Sequence, residues 1–215
     1  MKKKFFSWAI SALMLLTLFP FQAVSACTGF IIGKDLTTDG STLYGRTEDL
    51  EPNHNKNFVV RERKYNKAGD TFVDETNGFS FDLPAVSYKY TAVPDVTPEQ
   101  GVFDEAGFNE EGVSISATVS ASANDDIQKV DPYVKDGIAE SALTSVVLPH
   151  VKTAKEGVEL LAKIVREIGA AEGNIVKIAD KTGVSYIEIL SGHQYAAIKF
   201  PDDKYAVFPN TFFLG

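Results

Sequence analysis

Short apolar runs broken by turn residues dominate the chain from Cys27 to about residue 120 and again from residue 174. The runs "CTGFIIG" and "TLYGRTEDL" flank a D-G turn, which predicts a hairpin that returns Arg46 and Asp49 to the side of Cys27. "GVFDEAGFNEEGVSISATVSAS" predicts two strands joined by "NEEG", and its many small Ser and Ala side chains indicate a closely packed neighbour. Further strands are predicted in "NFVVRERKYN", "AGDTFVDE" and "AVSYKYTAV".

The hydrophobic period changes to that of a helix near position 136. "DGIAESALTSVVLPHV" predicts a helix that ends near Pro149, and "TAKEGVELLAKIVREIG" predicts a second. In the second, Thr153 and Glu156 form a T-x-x-E capping box and Gly169 provides a C-terminal stop. Strands return in "NIVKIAD", "VSYIEIL", "QYAAIKF" and "KYAVFP". The order of the predicted elements along the chain is strands, then two helices, then strands again. This order predicts an α+β fold with helices packed on antiparallel sheets.

The first 26 residues have the pattern of an export signal. Basic "MKKK" precedes the apolar "FFSWAISALMLLTLFPF", and the small residues "VSA" stand just before Cys27. The alternative is a membrane anchor that stays attached, but Pro20 breaks the apolar run. We therefore expect a cleaved signal peptide at 1–26, one domain at 27–215, and a secreted or otherwise extracytoplasmic protein.

The net charge limits the classes of binding partner that we expect. The chain has 21 basic and 29 acidic residues; removing 1–26 takes away three lysines, leaving 18 basic residues and a net charge of −11. Such a charge disfavours nucleic acid and anionic membrane surfaces. The histidines His54, His150 and His193 are far apart and lack metal-ligand spacing, so we expect surface or packing roles for them and no metal or other cofactor.

Cys27 is the only cysteine, so it cannot form an internal disulfide. It could be a core residue, a lipid attachment point or a nucleophile. If the chain is cut after Ala26, Cys27 carries both a thiol and a free α-amine with a pKa of about 8. That amine can take the thiol proton without a histidine, which is the N-terminal-nucleophile arrangement.

Such a site needs a cation beside the sulfur, a carboxylate to hold the amine, and donors for the oxyanion. Arg46 and Asp49 are the candidates for the first two, and Asn210 and Asn109 for the third. The alternatives are that Arg46 and Asp49 form an ordinary surface ion pair and that Asn109 is a turn residue.

The order of these motifs resembles one known family. "CTGFIIGKDLTTDGSTLYGRTEDL", "FNEEGVSISAT" and "IADKTGVSYIEILSGHQYAAIKFPDDKYAVFPN" are similar to segments of the cysteine N-terminal-nucleophile dipeptidases, and more distantly to penicillin V acylase and conjugated bile acid hydrolase. The resemblance covers nearly the whole chain after residue 26. It implies an αββα sandwich hydrolase that acts on a dipeptide or another small amide.

By match, the resemblance implies that Cys27 is nucleophile and general base, that Arg46 supports the thiolate and that Asp49 holds the amine. It gives Asn210 as an oxyanion donor, with a second donor near Thr118. Relatives with dipeptidase activity are considerably longer and carry a late arginine beyond the end of this sequence. We therefore expect this chain to be the N-terminal part of a longer family domain.

Three alternatives stay open at this stage. "VSAC" also fits a lipid-modified cysteine, which would make the protein a tethered binding module, although "TGFIIG" leaves no flexible tether after the cysteine. A related acylase would use the same chemistry with a different acyl pocket. An inactive truncated form is the third. A homo-oligomer is compatible with the sequence.

Overall fold

The computed structural model describes residues 27–49, 55–96, 101–119 and 121–214. The predicted signal peptide at 1–26 and the histidine His54 lie outside these residues. Within the described ranges, no helix combines the length and the apolar character that crossing a bilayer requires.

The described residues form fourteen strands, three α-helices and a 3-10 helix at Lys34–Leu36. The strands are β1 (Gly29–Ile32), β2 (Leu43–Arg46), β3 (Val59–Arg61), β4 (Lys64–Tyr65), β5 (Thr71–Val73), β6 (Ser80–Asp82), β7 (Val86–Ser87), β8 (Tyr90–Ala92), β9 (Ala106–Asn109), β10 (Ser114–Val119), β11 (Asn174–Asp180), β12 (Gly183–Ile189), β13 (Tyr195–Lys199) and β14 (Tyr205–Phe208). The helices are α1 (Asp125–Val130), α2 (Glu140–His150) and α3 (Ala154–Glu167).

Two antiparallel sheets form the centre of the fold. A seven-stranded sheet has the order β13-β12-β11-β10-β9-β8-β3, and a three-stranded sheet has the order β14-β1-β2. Two small two-stranded sheets, β4 with β7 and β5 with β6, lie outside them. The α+β class predicted from the sequence is confirmed.

Alternation along β11 shows how the layers stack. Val176 and Ile178 join the core cluster that contains the buried residues of α2 and α3. Ile175 and Ala179 point to the other face, where they pack with Ile31 of β1. Period-2 alternation therefore gives the large sheet two buried faces, one under the helices and one against the small sheet. The described layers are helix, sheet, sheet.

Helix α2 packs on the face of the large sheet that carries Ile115 and Ala117 of β10. The predicted packing against the Ser- and Ala-rich strand is confirmed, because α2 contacts β10 more extensively than any other strand. Pro149 lies in the last turn of α2, which ends at His150 as expected. Helix α1 was not predicted; Asn124 caps it by accepting from the backbone N–H groups of Asp126 and Ile127.

The predicted cap of α3 is also confirmed. The Thr153 Oγ1 accepts from the Glu156 N–H at 3.1 Å, and the Glu156 carboxylate accepts from the Lys152 N–H at 2.7 Å. The Glu156 carboxylate thus bonds the N–H of Lys152, the residue before the N-cap Thr153, and not the N–H of Thr153 itself. Gly169 ends the helical region with a φ of 104°, a left-handed conformation that favours glycine.

Candidate active site

The β1–β2 hairpin brings Cys27 and Arg46 together. Gly29 pairs with Arg46, and Thr47 continues the pairing by donating its N–H to the Thr28 carbonyl at 2.8 Å. The Arg46 guanidinium then reaches the half-buried Cys27, with 3.7 Å between Nη1 and Sγ. A cation therefore lies beside the only thiol, the arrangement that favours a thiolate.

Asp49 is connected to the same point through Thr47. The Thr47 Oγ1 accepts from the Thr28 N–H at 3.1 Å and donates to the Asp49 carboxylate at 2.9 Å. This chain of hydrogen bonds places a carboxylate next to the backbone that follows Cys27. The position suits a group that holds an α-ammonium.

Three glutamates surround the Arg46 side chain, which is 9% exposed. Glu105 pairs directly with one guanidinium nitrogen, and Glu48 and Glu140 each have an oxygen 3.5 Å from the guanidinium. Carboxylates on several sides fix the plane and direction of a guanidinium. These three partners come from different parts of the chain and were not predicted from the sequence.

Lys56 provides a second cation in this network. Its ammonium lies 2.7 Å from Glu48, 2.5 Å from Asp95 and 2.6 Å from Glu105. Ligand atoms of these three carboxylates lie within 4.8 Å of one another, a spacing that could hold a metal ion. In this structure the Lys56 ammonium bonds to all three, so the cluster has its positive charge from the protein itself.

Lys177 is a further site residue that was not predicted from the sequence. Its side chain is fully buried, and its ammonium lies within electrostatic range of Arg46, Glu140 and Cys27. Burial and then the Arg46 guanidinium lower the pKa of Lys177 to about 8, while Glu140 and Cys27 act in the opposite direction. A lysine in the middle of the apolar strand "NIVKIAD" was the signal available in the sequence.

Asn210 comes to the site through the third strand of the small sheet. Phe208 of β14 pairs with Gly29 on the side of β1 opposite to Arg46. The exposed Asn210 lies two residues beyond the end of β14, and Cys27 lies two residues before the start of β1, so both residues are at the same end of this antiparallel pair. Four residues singled out in the sequence thus lie at or just beyond one end of the small sheet, namely Cys27, Arg46, Asp49 and Asn210.

Asn109 has a different environment. Both of its amide hydrogens are used, by the carbonyls of Leu148 at 2.9 Å and Val151 at 2.8 Å. Its Oδ1 accepts from the backbone N–H groups of Glu111 and Val113. The side chain therefore closes the β9–β10 turn and ties it to the end of α2. It has no amide hydrogen left for an oxyanion, so its environment is that of a turn residue, the alternative that the sequence left open.

Thr118 faces the interior between the two sheets. It pairs with Ile175, two residue pairs along from Ser116 and Lys177, and its side chain is 2% exposed. Because residues two apart on a strand share a face, Thr118 and Ser116 lie on the same side of the large sheet as Lys177. This places Thr118 on the face that carries a site residue.

The two described histidines make local contacts. His150 has Nδ1 2.6 Å from the Val146 carbonyl and Nε2 3.0 Å from the Asp82 carbonyl. His193 has Nδ1 2.8 Å from an Asp131 oxygen. These contacts fit the packing and surface roles expected from the sequence.

The sequence model of Peptidase family C69 matches residues 26–214. A "Probable dipeptidase B" of Streptococcus pyogenes serotype M1 is 72% identical over 208 residues, covering 96% of this chain and 42% of the relative. A "Probable dipeptidase" of Latilactobacillus sakei is 42% identical over 188 residues, covering 87% of this chain and 40% of the relative.

The chain therefore spans about two fifths of the length of these curated relatives. A solved structure of a mutant conjugated bile acid hydrolase from Clostridium perfringens has a TM-score of 0.50 and 18% identity, covering 81% of this chain and 51% of that one. This likeness concerns the fold alone. Family match and sequence identity together show that the chain belongs to peptidase family C69.

Proposed function

We propose that this chain carries the nucleophile of an exported cysteine hydrolase that cleaves the peptide bond of dipeptides. The observation that carries the proposal is the contact of the Arg46 guanidinium with the sulfur of Cys27, the first residue after the predicted cleavage site. The substrate class comes from the names of the curated relatives, "Probable dipeptidase B" and "Probable dipeptidase".

The proposed reaction begins with the α-amine that cleavage after Ala26 creates. The amine takes the thiol proton, and the sulfur of Cys27 attacks the carbonyl carbon of the peptide bond. The carbonyl oxygen becomes an oxyanion, which the Asn210 side-chain amide stabilises. Arg46 supports the thiolate before attack, and Asp49 holds the α-ammonium that forms.

Collapse of the tetrahedral intermediate breaks the carbon–nitrogen bond. The α-ammonium gives its proton to the leaving amine, which departs as a free amino acid and leaves a thioester on Cys27. Water then attacks the thioester carbon while the α-amine accepts a water proton. The second amino acid leaves as its carboxylate, and the thiol is regenerated.

The exported protein and a Cys27→Ser variant test this proposal. N-terminal sequencing and intact mass should show a mature chain that begins with an unmodified Cys27. A panel of dipeptides should be hydrolysed, and Cys27→Ser should keep the fold and lose activity by about 100-fold or more, because a hydroxyl is the weaker nucleophile at neutral pH. One equivalent of iodoacetamide should abolish turnover of the unaltered protein.

Two results would contradict the proposal. A lipid-sized mass increment on the Cys27 peptide would show that lipid blocks both the amine and the thiol, and that the protein is a tethered module. Turnover of penicillin V or glycocholate without turnover of any dipeptide would retain the nucleophile but move the substrate to the acylase class.

A further inference from the structure

The Lys177 ammonium is a charged group that the proposed reaction leaves unused. The side chain is 0% exposed, and the Nζ has no hydrogen-bond partner among the described residues. Burial of an ammonium without hydrogen bonds is costly, and an apolar side chain of similar length would fill the same space. Packing alone therefore does not account for a lysine at this position.

The surroundings of Lys177 connect it to the proposed nucleophile. Its Nζ lies 5.3 Å from the centre of the Phe208 ring, within the range of a cation–π contact. A Cβ at Gly29 would stand only 3.2 Å from the same Nζ, so the ammonium lies under β1 two residues from Cys27. Glycine at 29 leaves the space that both the Phe208 ring and the ammonium occupy.

The facing groups give the site its electrostatic character. The titratable groups that act on Lys177 are Arg46 from β2, Glu140 from α2 and Cys27, two residues before β1. Across the large sheet Lys177 pairs with Ser116 of β10 and Tyr186 of β12. The buried Ser116 Oγ also has no hydrogen-bond partner in the described part of the chain. Two buried polar groups therefore face the small sheet on the side of the thiol.

We propose that Lys177 is a positioning residue of the hydrolase, whose buried ammonium acts with Arg46 to hold the Cys27 sulfur as a thiolate. This inference rests on the proposed function in taking Cys27 as the nucleophile. Arg46 donates to the sulfur from the neighbouring strand, whereas Lys177 approaches from the facing sheet. Because water is excluded around Lys177, its charge is screened less than that of a surface lysine.

Thermodynamic linkage makes the effect reciprocal. If the ammonium favours the thiolate, then the thiolate favours the ammonium by the same amount. The direction agrees with the raising effect of Cys27 on the pKa of Lys177, which is about 8 in the folded protein. At neutral pH the ammonium is still the main form, so the charge is present when the thiol is used.

The first test measures alkylation of Cys27 by iodoacetamide from pH 5 to pH 10 in the full chain. Lys177→Met removes the charge with little change in length, and Lys163→Met removes a charge from the exposed face of α3. For Lys177→Met we expect the midpoint of the alkylation profile to rise by about one pH unit and the rate at pH 7 to fall up to tenfold. Lys163→Met should match the unaltered protein. A folded Lys177→Met protein with an unchanged midpoint would overturn the inference.

The second test needs no substitution. In protein labelled with 13C-lysine, the Cε resonance of Lys177 is titrated before and after Cys27 is capped with iodoacetamide. Capping removes the thiolate, so we expect the Lys177 midpoint to move to lower pH. An unchanged midpoint would also overturn the inference.

These readouts are separate from hydrolysis. Shifted midpoints in a protein that cleaves no dipeptide would refute the proposed function and retain the role of Lys177 toward the thiol. Dipeptide turnover with unshifted midpoints would support the proposed function and refute the role of Lys177 toward the thiol.

Discussion

One terminal guanidinium nitrogen of Arg46 lies 3.7 Å from the sulfur of Cys27, while Glu105 pairs with the other terminal nitrogen of the same guanidinium. The two residues stand 19 positions apart in the sequence and meet because of the hairpin register. The glutamate fixes the guanidinium, so the direction of the donor toward sulfur is set before any substrate arrives.

Arg46→Ala should slow the alkylation of Cys27 at pH 7 by about tenfold, because the thiolate loses its adjacent cation. The variant should also lose on the order of 3 kcal/mol of unfolding free energy, since buried glutamates remain without their partner. Iodoacetamide kinetics and urea unfolding measure the two effects.

The control is Arg63→Ala, which removes an exposed arginine paired with Glu110. It should leave the alkylation rate unchanged and cost less than about 1 kcal/mol. Equal alkylation rates in the folded Arg46→Ala protein and the unaltered protein would show that Arg46 does not support the thiolate.

Asn210→Ala should lower kcat by about 100-fold with little change in stability, because an exposed oxyanion donor is used only in the transition state. Steady-state kinetics on a dipeptide, together with the melting temperature, make the comparison. If kcat is retained and only KM rises, the residue binds substrate and does not stabilise the oxyanion.

Asn109→Ala provides the contrast. It removes a buried side chain with four hydrogen bonds, so we expect a loss of roughly 2–4 kcal/mol in unfolding free energy. The kcat of the protein that stays folded should be close to that of the unaltered enzyme. A large fall in kcat without a loss of stability would return Asn109 to the site.

Lys177→Met should raise the stability of the fold at neutral pH by on the order of 3 kcal/mol, because the folded pKa of about 8 is well below the 10.5 of an ordinary lysine. Between these values the unfolded chain binds more protons than the folded one, so the unaltered protein gains stability as pH rises through that window. The advantage of the variant should therefore be largest below pH 8 and disappear towards pH 10.5. Denaturant unfolding at pH 7, 8.5 and 10 tests this, and a constant difference would contradict it.

His150→Gln should make the fold less sensitive to acid. A neutral ring has one N–H for the two carbonyls that face its nitrogens. Burial lowers the pKa of His150 below its ordinary value of 6.5. As the pH falls through 6.5, the unfolded chain therefore binds a proton at this residue before the folded protein does, and the folded state loses stability. The difference between the melting temperatures at pH 7.5 and pH 5 should be larger in the unaltered protein than in the variant. Equal losses in both would exclude His150 as a source of acid sensitivity.

Local patterns in the sequence were enough to predict the elements that build the site. The D-G turn and two apolar runs predicted the β1–β2 hairpin, and the T-x-x-E pattern predicted the cap of α3. Such features depend on residues close in sequence, where turn geometry and side-chain period have direct effects.

Long-range packing determines the part of the site that local patterns did not predict. Glu105, Glu140 and Lys177 reach Arg46 and Cys27 from segments distant in the chain. No local pattern distinguishes the two glutamates from surface charges, and the apolar strand around Lys177 indicates burial but not which residues it faces. For Asn109 the sequence allowed both a turn residue and an oxyanion donor. The carbonyls of Leu148 and Val151, 39 and 42 residues away, use both of its amide hydrogens.

The pairing of Gly29 with Phe208 joins positions 179 residues apart. A chain emerging from the ribosome can form the Cys27–Arg46 hairpin early, but it must close this very long loop before Asn210 arrives. On the proposed assignment, the young polypeptide holds a thiol beside its cation and lacks the donor that stabilises the intermediate. On that assignment, hydrolytic competence is a late event in folding, set by the closure of this loop rather than by the local hairpin.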